Sequence, residues 1–145
     1  MFISVDAKRV IDRLQKMQAN TSPKSPKMRE AFTRIGLLLT ARTKLNVLRQ
    51  RLIDKGGLRR SINYRLIPDG VEAGSFGVPY AGVYEYGFKG RVRVRSFERT
   101  SQLGRSYTVR SHHRNMNVRK RPYLRPAVLA SREEIIEILR SSIVS

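Results

Sequence analysis

The chain has 145 residues, 40% of them apolar, with 30 Lys and Arg against 11 Asp and Glu for a formal net charge of +19. That length can bury roughly two-thirds of the extended surface, enough for one domain, or one domain with an arm, to hold a core without staples. The lack of any cysteine excludes disulfides and thiolate chemistry, the two histidines leave little for a metal cage, and no run of about 18 apolar residues suggests a membrane span.

Met1 to Asp6 reaches a charge before a signal-peptide core can form, which points to synthesis in a cytoplasm. The charge of +19 exceeds what solubility needs. It implies a polyanion, a strongly acidic partner surface, or both. Arginine predominates, and its planar fork suits phosphate, so nucleic acid leads.

Val5 to Gln18 places Val10, Ile11, Leu14 and Met17 at helical spacing, with Asp6 positioned to cap the start. The stretch from Asn20 to Pro26 breaks that helix. Ser25 followed by Pro26 then has the form of an N-cap with proline at the first helical position. A longer helix is predicted from Lys27 to Arg51, with Met28, Ala31, Phe32, Ile35, Leu38, Leu39, Leu45, Leu48 and Leu52 as its apolar stripe. Gly36 lies inside that stripe at a propensity cost of about 1 kcal/mol, which predicts close packing of another element there. Lys55-Gly56-Gly57 is read as a helix stop.

The period then changes. Ser61 to Ile67 alternates, Pro68-Asp69-Gly70 is a turn, and Val71 to Phe76 alternates again, which predicts a β-hairpin. Gly77-Val78-Pro79 is a break, and Tyr80 to Tyr86 is open between a short helix and irregular chain. Residues 89–121 form a basic segment. Eleven are basic (Lys89, Arg91, Arg93, Arg95, Arg99, Arg105, Arg110, Arg114, Arg119, Lys120 and Arg121) and only Glu98 is acidic, a net +10. Arg91, Arg93 and Arg95 alternate with valines, and Tyr107 to Arg110 is the candidate return strand, giving a hairpin with one arginine face. Its tip at Ser101 to Arg105, and the chain through Asn117, are expected to lack fixed structure without a partner. Pro122 to Pro126 leads into a last helix over Ala127 to Ser142, with Val128, Leu129, Ile135, Ile136, Leu139 and Ile143 on its apolar face. Glu133 and Glu134 lie about two turns in, too far to help the helix start, and are expected to pair with arginines. The fold class is α+β: a small antiparallel sheet packed by two or three helices, with the basic hairpin as an arm on a single 1–145 domain.

Catalytic patterns are missing. No glycine spacing fits a phosphate-cradling loop, and the carboxylates are scattered. His112 and His113 beside Arg110 and Arg114 carry the residue types of an RNA-cleaving site, but neighbours on a strand face opposite ways, and no third partner is present. Phosphate-facing or solvated histidines are the simpler reading. Tyr80, Tyr84 and Tyr86 suit base stacking less well than a core edge or a subunit interface.

Three stretches together resemble a known family, the phage virion-morphogenesis and tail-completion (neck) proteins. Gly57-Leu58-Arg59-Arg60-Ser61-Ile62 looks like the family's approach to its first strand. Val78-Pro79-Tyr80-Ala81-Gly82-Val83-Tyr84-Glu85-Tyr86-Gly87 is similar to its proline-tyrosine stretch. Arg121-Pro122-Tyr123-Leu124-Arg125-Pro126-Ala127 is similar to its closing segment before a terminal helix. The order of elements also fits, and the likeness covers residues 57–87 and 121–143. The resemblance implies a non-enzymatic ring subunit of the virion neck at the head–tail junction, without metal or cofactor. It would assemble as a homo-oligomer, hexamer first and dodecamer second, against neighbouring neck and tail rings around packaged double-stranded DNA. Leu58, Ile62, Tyr80, Tyr84, Tyr86 and Tyr123 become the core or interface motif, and the arginines of 89–121 the surface toward DNA or a partner. A basic nucleic-acid-binding protein, or a small ribonuclease, is the competing reading.

Overall fold

A computed structural model of the protein describes residues 7–52 and 56–144. It is α+β, with helices α1 (Ala7–Thr21), α2 (Pro26–Arg49), α3 (Gly57–Ser61), α4 (Ala81–Tyr86), α5 (Leu124–Ala130) and α6 (Arg132–Val144). The strands are β1 (Ile62–Ile67), β2 (Gly70–Ser75), β3 (Phe88–Val94), β4 (Phe97–Thr100), β5 (Ser106–Val109) and β6 (His112–Val118). They make three two-stranded antiparallel ribbons: β1–β2 is the small sheet expected beside the helices, and β3–β6 and β4–β5 make up the expected basic hairpin. Two compact units result: Met1–Val78 with Tyr123–Ser145, and Pro79–Pro122. The inserted unit therefore starts at Pro79, ten residues before the predicted arm, and takes in the tyrosine stretch.

In the first unit α1 runs on to Thr21, whose Oγ1 donates to the Met17 carbonyl at 2.6 Å and covers an open helix end. The predicted cap at Asp6 lies outside the described residues. The start of α2 matches its sequence signal: the Ser25 side chain accepts from the Met28 N–H at 3.2 Å, and Pro26 opens the helix. Its end does not. The helix stops at Arg49, because Leu52 N–H donates to Val47 O and Arg51 N–H to Leu48 O, both at 3.0 Å, around Arg51 at φ +52°. That is a Schellman closure with arginine where glycine is usual, and the buried Leu52 and Val47 supply its apolar contact. Gly56, at φ +71°, precedes α3 instead of ending α2.

The core follows from what α2 buries: Met28, Ala31, Ile35, Leu39, Thr43 and Val47. Leu45, expected in this stripe, is 49% exposed, since Thr43 and Val47 take the inward phase. The β1–β2 ribbon packs on α2 with Ile67 opposite Gly70 across a Pro68-Asp69 loop, as the sequence predicts. Tyr64 of β1 lies against Gly36; a Cβ there would sit 2.3 Å from the ring Cδ2. The close approach expected at Gly36 is thus a tyrosine ring. Leu58, Ile62, Tyr123 and Ala127 complete the core, and Asn46 Nδ2 donates to the Tyr123 carbonyl at 2.9 Å.

The last helix is two. Buried Ser131 interrupts it, its Oγ donating back to Ala127 O at 2.7 Å. Such back-bonding bends helices. Restarting at Arg132 puts Glu133 and Glu134 in the first turn of α6, not two turns in. Glu134 does find an arginine: Arg42 bonds it while also donating to Ala130 O at 2.7 Å and Ser131 Oγ at 2.9 Å. Val128, Leu129 and Ile136 of the predicted apolar face are exposed.

Thr43 is fully buried, and its hydroxyl has no hydrogen-bond partner among the described residues. Valine there keeps the shape and removes an unsatisfied polar group. Thr43→Val is expected to raise stability by about 1 kcal/mol. A higher urea midpoint at unchanged slope is the readout, and an unchanged or lower midpoint contradicts it.

Candidate interaction surface

The Pro79–Pro122 unit begins with α4, which ends on Gly87 at φ +77°, its N–H bonded to Val83 O at 2.8 Å. A Cβ on Gly87 would stand 3.1 Å from the Val118 carbonyl and the Lys120 nitrogen, so glycine is needed where the two ends of the hairpin meet. Arg121 closes the same junction: its N–H donates to Tyr84 O at 2.7 Å, and its guanidinium lies 5.5 Å from the Tyr84 ring centroid. Tyr80 meets Tyr84 edge-to-face at 5.9 Å.

The tyrosine stretch is therefore a clasp, not a core. Tyr86 is 81% and Tyr80 41% exposed, which leaves only the interface half of the core-or-interface expectation for those two; Tyr84 is half-buried. The six motif residues are divided between the two units. Leu58, Ile62 and Tyr123 are buried in the first unit, and the other three lie in the second.

The basic segment is a long interrupted hairpin. β3 pairs with β6 from Phe88↔Val118 to Val94↔His112, and β4 with β5 from Phe97↔Val109 to Thr100↔Ser106. Tyr107 is thus opposite Arg99, and the return strand of the arginines is His112–Val118, not Tyr107–Arg110. The chain through Asn117 is regular strand rather than unstructured, and the tip is closed by Ser101 N–H to Arg105 O at 2.8 Å with Gly104 at φ +77°.

Register sorts the side chains by face. Lys89, Arg91 and Arg93 share one face of β3–β6 with His113, Asn115 and Asn117. Phe88, Val92, Val94, Met116 and Val118 share the other, with Phe88 lying over Gly90. Arg114 falls on this apolar side, opposite Val92, and Arg95 lies past the end of β3. Arg99 belongs to β4, Arg105 to the tip, Arg110 to the β5–β6 link, and Arg119, Lys120 and Arg121 follow β6. All eleven basic residues are exposed, and among the described residues none shares an ion pair. The two imidazoles face opposite ways, and His112 Nδ1 is 3.0 Å from its own segment's Arg110 carbonyl. No group of three metal-binding side chains occurs among the described residues.

Ala81 is the one buried residue of the Pro79–Pro122 unit, all of which is described. Its side chains are otherwise half-buried or exposed. The sequence reading missed a complementary feature, the exposed acids Glu133 and Glu137 beside exposed Ile136 on α6. Their spacing of three and four is visible in the sequence, but the break at Ser131 that presents them is not. No helix among the described residues is long and apolar enough to cross a membrane. Set against known protein families, curated proteins and solved structures, this two-unit chain has no match.

Proposed function

We propose that this chain is a non-enzymatic structural subunit of a tailed-phage neck, forming a homo-oligomeric ring at the head–tail junction. There it completes the tail or joins it to the head around the DNA channel. The carrying observation is the Pro79–Pro122 unit: eleven exposed cations on a hairpin with one buried residue. Such a unit is built for contact, and a ring concentrates its charge around one axis. The three motif stretches support the reading by their positions, one running through α3 into β1, one forming α4 and its clasp, one opening α5. The exposed cations also favour a second reading, a nucleic-acid-binding protein outside any virion, which acts as a monomer.

Replacing Arg91, Arg93 and Arg95 together with glutamine tests both. If the hairpin faces DNA in the channel, rings still dock but packaged DNA leaks, and the salt slope of DNA affinity falls by about 3. If it clamps a neighbouring ring, docking fails while isolated rings persist. Unchanged particles together with unchanged DNA affinity leave the charge as solvated surface and defeat both readings of the segment.

A further inference from the structure

The β4–β5 hairpin has two unlike faces. Phe97 pairs with Val109 and Arg99 with Tyr107, so these four side chains share one face, while Glu98, Thr100, Ser106 and Thr108 share the other. The first face stands in solvent: Phe97 is 46% and Tyr107 48% exposed. A two-stranded hairpin this short is marginal in water by itself, more so with its apolar side uncovered. Aromatic residues and arginine are also the types that anchor interface centres.

The chain carries a surface that fits. Glu133, Ile136 and Glu137 follow at helical spacing on α6, and Leu129 lies on α5, four residues before Glu133 across the break at Ser131. Leu129 is 66% exposed and Ile136 39%, with the two carboxylates exposed beside them. Glu134 is held by Arg42, and Glu133, Ile136 and Glu137 line one shallow surface together with Glu134 and Arg140.

We propose that the Phe97–Arg99–Tyr107–Val109 face of one copy docks on the Leu129–Glu133–Ile136–Glu137 stripe of a second copy. The aromatic rings cover Leu129 and Ile136, and Arg99 meets the Glu133 and Glu137 carboxylates. Two different patches meet, so the contact is heterologous and repeats from copy to copy. The closure of that repeat into a ring rests on the neck reading; the contact itself does not.

The test uses the full chain, whose lack of cysteine gives a clean background. Val109→Cys and Ile136→Cys proteins are mixed, treated with nuclease and oxidised. The expected product is a disulfide-linked pair containing one of each, and the variant with both cysteines gives a ladder of linked chains. In sedimentation velocity, Arg99→Glu is expected to weaken self-association about tenfold, as is Glu133→Arg with Glu137→Arg, and combining all three restores it. Arg99→Lys, which keeps the charge, retains most of it, separating this contact from a folding defect. A cross-link confined within one chain, a monomer at every concentration, or association abolished by nuclease overturns the inference. Copies that associate through this contact but never enter a virion refute the neck reading alone. Virions whose rings survive Arg99→Glu refute this contact alone.

Discussion

Gly36→Ala is expected to destabilise the protein by about 2 kcal/mol, although alanine is the better helix former. Helix propensity favours the change by about 1 kcal/mol. The new methyl carbon, however, would lie 2.3 Å from Tyr64 Cδ2 and 2.5 Å from Cγ, inside a normal carbon contact by more than about 1 Å. Cγ sits at the root of the ring, so no swing of the ring tip relieves the clash. The β1–β2 ribbon must instead move off α2, and overpacking of that kind costs about 1–3 kcal/mol, occasionally more. A double-mutant cycle isolates the cause: in a Tyr64→Ala background the seat is empty, and Gly36→Ala should turn neutral or stabilising. Equal cost in both backgrounds would place the penalty elsewhere.

Leu58→Ala has the larger expected effect, about 3–4 kcal/mol, a large part of the 5–15 kcal/mol typical of a whole domain. Leu58 and Ile62 are each 1% exposed, one on α3 and the other opening β1, so they fix the turn of chain between helix and hairpin. The five-residue α3 cannot stand as a helix alone and depends on this anchor. Leu58→Met keeps the volume and should cost under about 1.5 kcal/mol, and exposed Arg59→Ala should stay within about 0.5 kcal/mol. Urea titrations rank the three. A Leu58→Ala loss no greater than that of Arg59→Ala would contradict the buried placement.

Local signals carried much of the fold into the sequence. Ser25-Pro26 marks the start of α2, and Pro68-Asp69-Gly70 between two alternating runs marks the β1–β2 hairpin, because each depends on chemistry within a few residues. Gly36 announced a close approach, though only the tertiary structure identifies Tyr64 as its cause. What stayed hidden depended on context. Arg51 adopts a left-handed conformation that composition assigns to glycine, so the end of α2 was misplaced. Ser131 bends the last helix from inside the core, where a serine reads as ordinary surface. The strand His112–Val118 has mostly polar side chains, so alternation could not find it; its pairing follows from the nesting of β4–β5 within β3–β6. For the interaction surface, the arginines were legible one by one. Their division between faces was not, because register alone puts Arg91 and Arg93 on one side and Arg114 on the other.

The central claim is that this chain is part of a virion neck, and reconstruction of purified particles together with their protein inventory tests it most directly. The account predicts the chain in stoichiometric amount, as a closed ring on the axis between head and tail. Particles lacking it are expected to accumulate as filled heads that fail to join tails. Mature particles that omit the chain yet are infectious would contradict the account.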